Sequence, residues 1–178
     1  MANTFTKIGD TVTVGSGGAA SIDFTLIPST YTDLQLLLSV RTATATYQID
    51  QLKLLFNASS ASDYNYKDLL GSGPAGVTSS GASSQGYLYF GNAPRPQATA
   101  NTFSNVSLYI PNYALSTNKS SLTDSVAVSN GSGDYWYLRL NAGLWNKTNA
   151  INQITVYSGD SGGFSQYSTA TLYGIKNS

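Results

Sequence analysis

The run most suggestive of chemistry is Gly159-Asp160-Ser161-Gly162-Gly163, a serine between glycines of the kind that surrounds a protease nucleophile. A serine nucleophile needs an imidazole base, and this 178-residue chain contains no His. The run reads instead as a Gly-rich hairpin loop between a strand at Ile154–Ser158 and the last strand. Carboxylates offer a second route, because glycoside hydrolysis needs only two acids, about 5–9.5 Å apart. Asp63 and Asp68 flank Tyr64-Asn65-Tyr66-Lys67, and Asp134 precedes Tyr135-Trp136-Tyr137. The nine acidic residues are all Asp and are scattered along the chain, so they read as turn and strand-edge residues accepting local backbone bonds. The chain has no Cys and no Asp/Asn cluster with calcium-loop spacing. The expectation is a protein that is not an enzyme, with no catalytic residues, no metal and no cofactor.

The aromatic residues point to binding instead. Tyr87 and Tyr89 alternate with Leu88 and Phe90, and Tyr135, Tyr137 and Arg139 alternate with Trp136, Leu138 and Leu140. On a strand one set faces the core and the other faces outward. Setting Trp136, Leu138 and Leu140 inward leaves Tyr87, Tyr89, Tyr135 and Tyr137 as a candidate exposed aromatic face. Tyr combines contact area with a polar tip, which suits a protein interface or a sugar. Trp145 reads as a core plug.

Charge narrows the partners. Nine Lys and Arg balance nine Asp, and charged residues make up only 10% of the chain. A neutral chain with three Arg offers little phosphate neutralisation and no basic patch, so neither nucleic acid nor an anionic membrane is expected. Met1 to Lys7 lacks the apolar segment of a signal peptide. The protein reads as made in a cytoplasm, and the five Asn-x-Ser/Thr sequons at Asn57, Asn105, Asn118, Asn130 and Asn146 are expected to stay unmodified.

The elements that must carry these residues are strands. Ile22, Phe24 and Leu26 recur with period two, as do Leu34/Leu36/Leu38/Val40, Leu52/Leu54/Phe56, Val106/Leu108/Ile110, Val126/Val128, Ile154/Val156 and Ala170/Leu172. With the two aromatic runs and a weaker run at Thr11–Val14, this predicts about nine or ten short strands. Gly, Pro, Ser and Asn clusters separate them, and no helical stripe intervenes. The expected fold is all-β, an antiparallel β-sandwich with jelly-roll-like topology. Two stretches read as long loops: Gly71 to Gly86, rich in Gly, Ser and Ala, and Asn92 to Asn101, which contains Pro94-Arg95-Pro96. Residues 1–20 read as an N-terminal arm or edge strands, and 21–178 as a single domain.

An ordered set of short motifs then adds context: Ile27-Pro28-Ser29-Thr30-Tyr31-Thr32-Asp33-Leu34, Phe56-Asn57, Tyr64-Asn65-Tyr66 with Gly71, and Ile110-Pro111-Asn112-Tyr113. Asn118-Lys119-Ser120, Ala142-Gly143-Leu144-Trp145 with Thr148, Ile151 and Ile154, and Leu172-Tyr173-Gly174-Ile175 complete it. Across most of its length the chain resembles a family of small all-β virion proteins of tailed bacteriophages. The resemblance implies a structural role on the particle, as a head decoration protein or a fibre module, and no catalytic residues. The composition agrees: a surface of short uncharged side chains packs against neighbours at small cost in side-chain entropy and charge desolvation. The expected partners are further copies of the chain, as a trimer or lattice, and other virion proteins such as the major capsid protein. The alternative is a tail or fibre module that reads a host glycan.

Overall fold

The computed structural model describes residues 4–73, 76–129 and 136–176. Twelve strands follow one another: β1 (Phe5–Thr13), β2 (Ser21–Phe24), β3 (Asp33–Ser39), β4 (Ile49–Phe56), β5 (Tyr64–Ser72) and β6 (Val77–Gln85). The second half supplies β7 (Leu88–Pro94), β8 (Asn105–Ile110), β9 (Lys119–Val128), β10 (Trp136–Trp145), β11 (Ile154–Ser158) and β12 (Thr169–Ile175). They form an eight-stranded sheet, β1-β12-β3-β8-β9-β10-β5-β6, facing a four-stranded sheet, β2-β11-β4-β7, with every pairing antiparallel.

The topology resolves into a jelly roll plus an extension. Setting aside β5, β6, β9 and β10 leaves β1-β12-β3-β8 opposite β2-β11-β4-β7, with successive strands alternating between sheets except β4 and β7, which pair with each other in the smaller one. The other four strands enter as two pairs, after β4 and after β8, and meet as the contiguous block β9-β10-β5-β6 beyond β8. Period-two patterns explain the core of the jelly roll. Leu34, Leu36 and Leu38 of β3 and Leu52, Leu54 and Phe56 of β4 all point between the sheets and are buried, each worth roughly 1.5–3 kcal/mol of apolar burial.

The loops at one end are tied by a few buried side chains. Asp33 is buried and accepts from the Tyr109 hydroxyl at 2.8 Å and the Asn112 amide at 2.9 Å. The Tyr113 hydroxyl donates to the Pro28 carbonyl. The Tyr31 ring lies against the Gly174 backbone so closely that a Cβ there would sit 2.3 Å from it. Trp145 plugs the core as expected, its ring 5.6 Å from that of Phe56 and 6.4 Å from that of Tyr64.

Several sequence expectations need correction. Twelve strands lie among the described residues, where about nine or ten were expected, because β5 was unrecognised and the stretch 71–86, expected to be a loop, supplies the end of β5 and all of β6. Residues 5–13, of the segment read as an arm or edge strands, form the sheet's edge strand, paired with β12 from Phe5↔Ile175 to Thr13↔Thr169. Pro94 ends β7, an edge strand where a missing amide is tolerated. The run 159–163 is no hairpin: β11 and β12 lie in different sheets, and the run crosses between them. Gly163 is required there, with φ of +76° and the Ala19 carbonyl 2.5 Å from where a Cβ would stand.

A pH dependence follows from the buried tyrosines. The Phe56 amide donates to the Tyr64 hydroxyl at 2.9 Å, and burial pushes that hydroxyl up to about 12. Burial also raises Tyr89 and Tyr113. Unfolded Tyr ionises near 10, so the unfolded chain releases these protons first, and their stabilisation, complete below pH 10, is lost as pH rises through the folded values. Lys119, lowered by burial, acts in the opposite sense, but only below its ordinary value of 10.5. The unfolding free energy is therefore expected to fall between about pH 10.5 and 12, and less steeply in Tyr64→Phe. Urea titrations across that range check it, and an unchanged slope in the variant would refute the assignment.

Candidate interaction surface

The four-stranded extension reverses the usual polarity of a sheet. On β9, Ser121, Thr123, Ser125 and Ala127 point inward and are buried, while Leu122, Asp124, Val126 and Val128 point outward. On β10, Arg139, Asn141, Gly143 and Trp145 face inward, and Trp136, Leu138 and Leu140 face solvent. This corrects the sequence expectation for β10. The cause is parity: Trp145 must be inside with Phe56 and Tyr64, and residues an odd number of positions away then face out. Gly143 confirms the register, since a Cβ there would meet Leu88 at 2.8 Å.

The result is a continuous apolar face. Val128 pairs with Trp136, Val126 with Leu138, and Leu140 with Leu69 of β5. Leu69, Leu122, Val126, Val128, Trp136, Leu138 and Leu140 are between 38% and 61% exposed. Together they present on the order of 600 Å² of apolar surface, at the top of the range for a monomer's largest patch. A depression of about 410 Å³ lined by Thr99, Thr102, Phe103, Asn105, Val126 and Val128 opens at its β8 margin. Beyond β5 the sheet ends in β6, whose sequence Val-Thr-Ser-Ser-Gly-Ala-Ser-Ser-Gln carries no charge and no Pro. The opposite edge, β1, is guarded by Lys7, Asp10 and a register shift between Ile8 and Val12.

Under this face the interior is polar. Arg139 donates to Asp68 at 3.0 Å, both side chains being at most 4% exposed, and the Ser80 hydroxyl donates to the other Asp68 oxygen at 2.7 Å. Ser121, Thr123, Ser125 and Asn141 bury side-chain atoms with no hydrogen-bond partner among the described residues. Lys119, buried at the start of β9, donates to the carbonyls of Leu115 at 2.7 Å, Thr148 at 3.4 Å and Thr117.

The tyrosines singled out from sequence are dispersed. Tyr135 lies outside the described residues, with Asp134. Tyr137 is half-buried on the inner side of β10, opposite Ala127 and Ser72. Tyr87 and Tyr89 are half-buried and form a cluster: their rings meet edge-to-face at 4.9 Å, and Tyr66 packs edge-on to Tyr89 at 5.7 Å. The Lys53 ammonium sits 4.6 Å over Tyr87 and donates to the Gly159 carbonyl at 2.7 Å. These ring faces already serve one another and a cation. Asp160 of the Gly-Asp-Ser-Gly-Gly run pairs with Arg95, which also donates to buried Asp50 at 2.7 Å. Asp63 pairs with Lys147 at 3.1 Å. The carboxylates read from sequence as candidates are thus engaged in ion pairs, Asp134 aside.

The apolar face was missed because its leucines alternate as core leucines do. The signal that could have found it is the odd spacing between Leu140 and Trp145, which forbids both from being inside. Compared with protein-family models and with curated proteins, the chain matches none.

Proposed function

We propose that the protein is a non-enzymatic structural component of a bacteriophage particle, a decoration protein seated on the outer head surface. The jelly roll alone does not select this role, since the fold serves capsid proteins and lectins alike. The carrying observation is the extension β9-β10-β5-β6, grafted onto a complete jelly roll, with an apolar outer face and an edge strand that bears no charge. Such surfaces belong to proteins whose neighbours cover them. The chain's neutrality removes long-range repulsion between crowded copies and a capsid. The motif resemblance supplies the phage context, with synthesis in the host cytoplasm and the virion as destination.

The glycan-reading alternative draws on the cluster of Tyr66, Tyr87 and Tyr89. Sugar stacking uses a free ring face, and Lys53 occupies that of Tyr87, so decoration is preferred. Mass spectrometry and cryo-electron microscopy of particles of the encoding phage test the choice. The expected result is repeated density of this fold over the head shell. Absence from particles, or density at the tail tip alone, would overturn it.

A further inference from the structure

From the apolar face of the extension we infer that a second copy of the chain covers it, the two packing face to face about a two-fold axis. The inference rests on the assembly role proposed above and names the partner of its surface. Three observations select a second copy over another occupant.

The first is size. Each copy brings on the order of 600 Å² of apolar side chain, and polar neighbours such as Ser120 and Asn65 extend this toward the roughly 800 Å² per partner of a standard interface. The second is singularity. Val77 continues the face onto β6 in the row of Val126 and Leu138, Leu37 stands across β8 on the same sheet, and the other exposed large apolar residues, Phe5, Leu26, Tyr47, Leu115 and Tyr167, are scattered singly away from it. A ring needs two different complementary patches, whereas one patch meeting itself is isologous and closes as a two-fold dimer. This replaces the trimer expected from sequence.

The third is charge. Two charged side chains border the face, Asp124 on β9 and Lys67 on β5. Asp124 stands beside Leu140 and Lys67 beside Ala142, on opposite sides of β10. Neither belongs to a salt bridge among the described residues. A two-fold axis lying in the face, through the midpoint of the line from Asp124 to Lys67 and perpendicular to that line, carries Asp124 of each copy onto Lys67 of the other. The pair is therefore made twice, flanking a centre in which Leu140 of each copy meets Leu69 of the other. The polarity of β9 and β10 also gains a reason: the outer face is an interior of the dimer, so its leucines are core residues after all.

The test is sedimentation of the full chain over a wide concentration range, with far-ultraviolet circular dichroism as the fold control. Wild type is expected to form a dimer. The double variant Leu138→Glu/Leu140→Glu is expected to stay folded and dimerise about a hundredfold or more weakly. Should that variant misfold, charge reversal decides: Asp124→Lys and Lys67→Asp each weaken the dimer, and together they restore it. A wild type monomeric at all concentrations, a trimer, or a dimer indifferent to both sets of changes overturns the inference. Head binding separates it from the proposed function. A monomer that decorates heads sinks the dimer and leaves decoration standing, while a dimer that binds no head does the reverse.

Discussion

Replacing Arg139 by Met alone is expected to cost about 3–5 kcal/mol of stability, and adding Asp68→Leu to recover most of that loss. The Arg139–Asp68 pair spans adjacent strands of the extension, both side chains almost fully shielded from water. Their attraction is offset by the cost of having desolvated two ions, so the intact pair adds little over two apolar side chains. Removing one partner is different, because the surviving carboxylate keeps its desolvation cost and loses its cation. Ser80 alone cannot replace a guanidinium. Chemical denaturation of wild type, single and double variants measures the cycle. If the double variant is as unstable as the single, the pair is a net stabiliser and the account of a polar interior is wrong.

Trp145→Ala is expected to lose about 3–5 kcal/mol, whereas Leu140→Ala, on the same strand, should change the stability of the dilute chain by only about 0.5 kcal/mol. The contrast tests the register of β10 directly. Trp145 is 2% exposed and touches two aromatic rings that belong to different sheets, so its removal opens a cavity where β4, β5 and β10 converge. Leu140 stands on the outer face, and in dilute solution its truncation removes little buried area. Thermal or denaturant unfolding at low concentration gives both values. A Leu140→Ala loss near that of Trp145→Ala would mean that the strand is flipped and the apolar face does not exist.

These two positions also show how far the sequence could be read. Where one side of a strand meets the core and the other meets water, as in β2, β3, β4 and β8, alternation carries the answer, and the jelly-roll core was legible. In β6 it carries nothing. Ser, Gly and Ala hold the strand by backbone pairing to β5, and backbone bonds leave no mark in side-chain pattern. In β9 and β10 the alternation is present but its sign is not, since a leucine written for an assembled neighbour looks the same as one written for the chain's own core. Only a long-range fact, that Trp145 reaches Phe56 and Tyr64, settles the sign. Tyr137 shows the same ambiguity: taking Leu138 as inside places it outward, and the register set by Trp145 turns it inward. Motifs such as Ile27–Leu34 and Ile110–Tyr113 hold the ties between loops, through Asp33, Asn112 and Tyr113, and such ties position a fold without naming its task.

The pairing of the first strand with the last has a mechanical consequence. Phe5 lies opposite Ile175 at the same corner of the sheet, so a load drawn between these two positions would open the β1–β12 ladder one bond at a time, as a zipper. Shear across the whole ladder would require the load to enter at opposite corners. Tension passed through both ends would thus peel away one edge strand at low force before the β12–β3 ladder was tested, while a pull on a single end, balanced by contacts on the extension, would load the full width of the eight-stranded sheet.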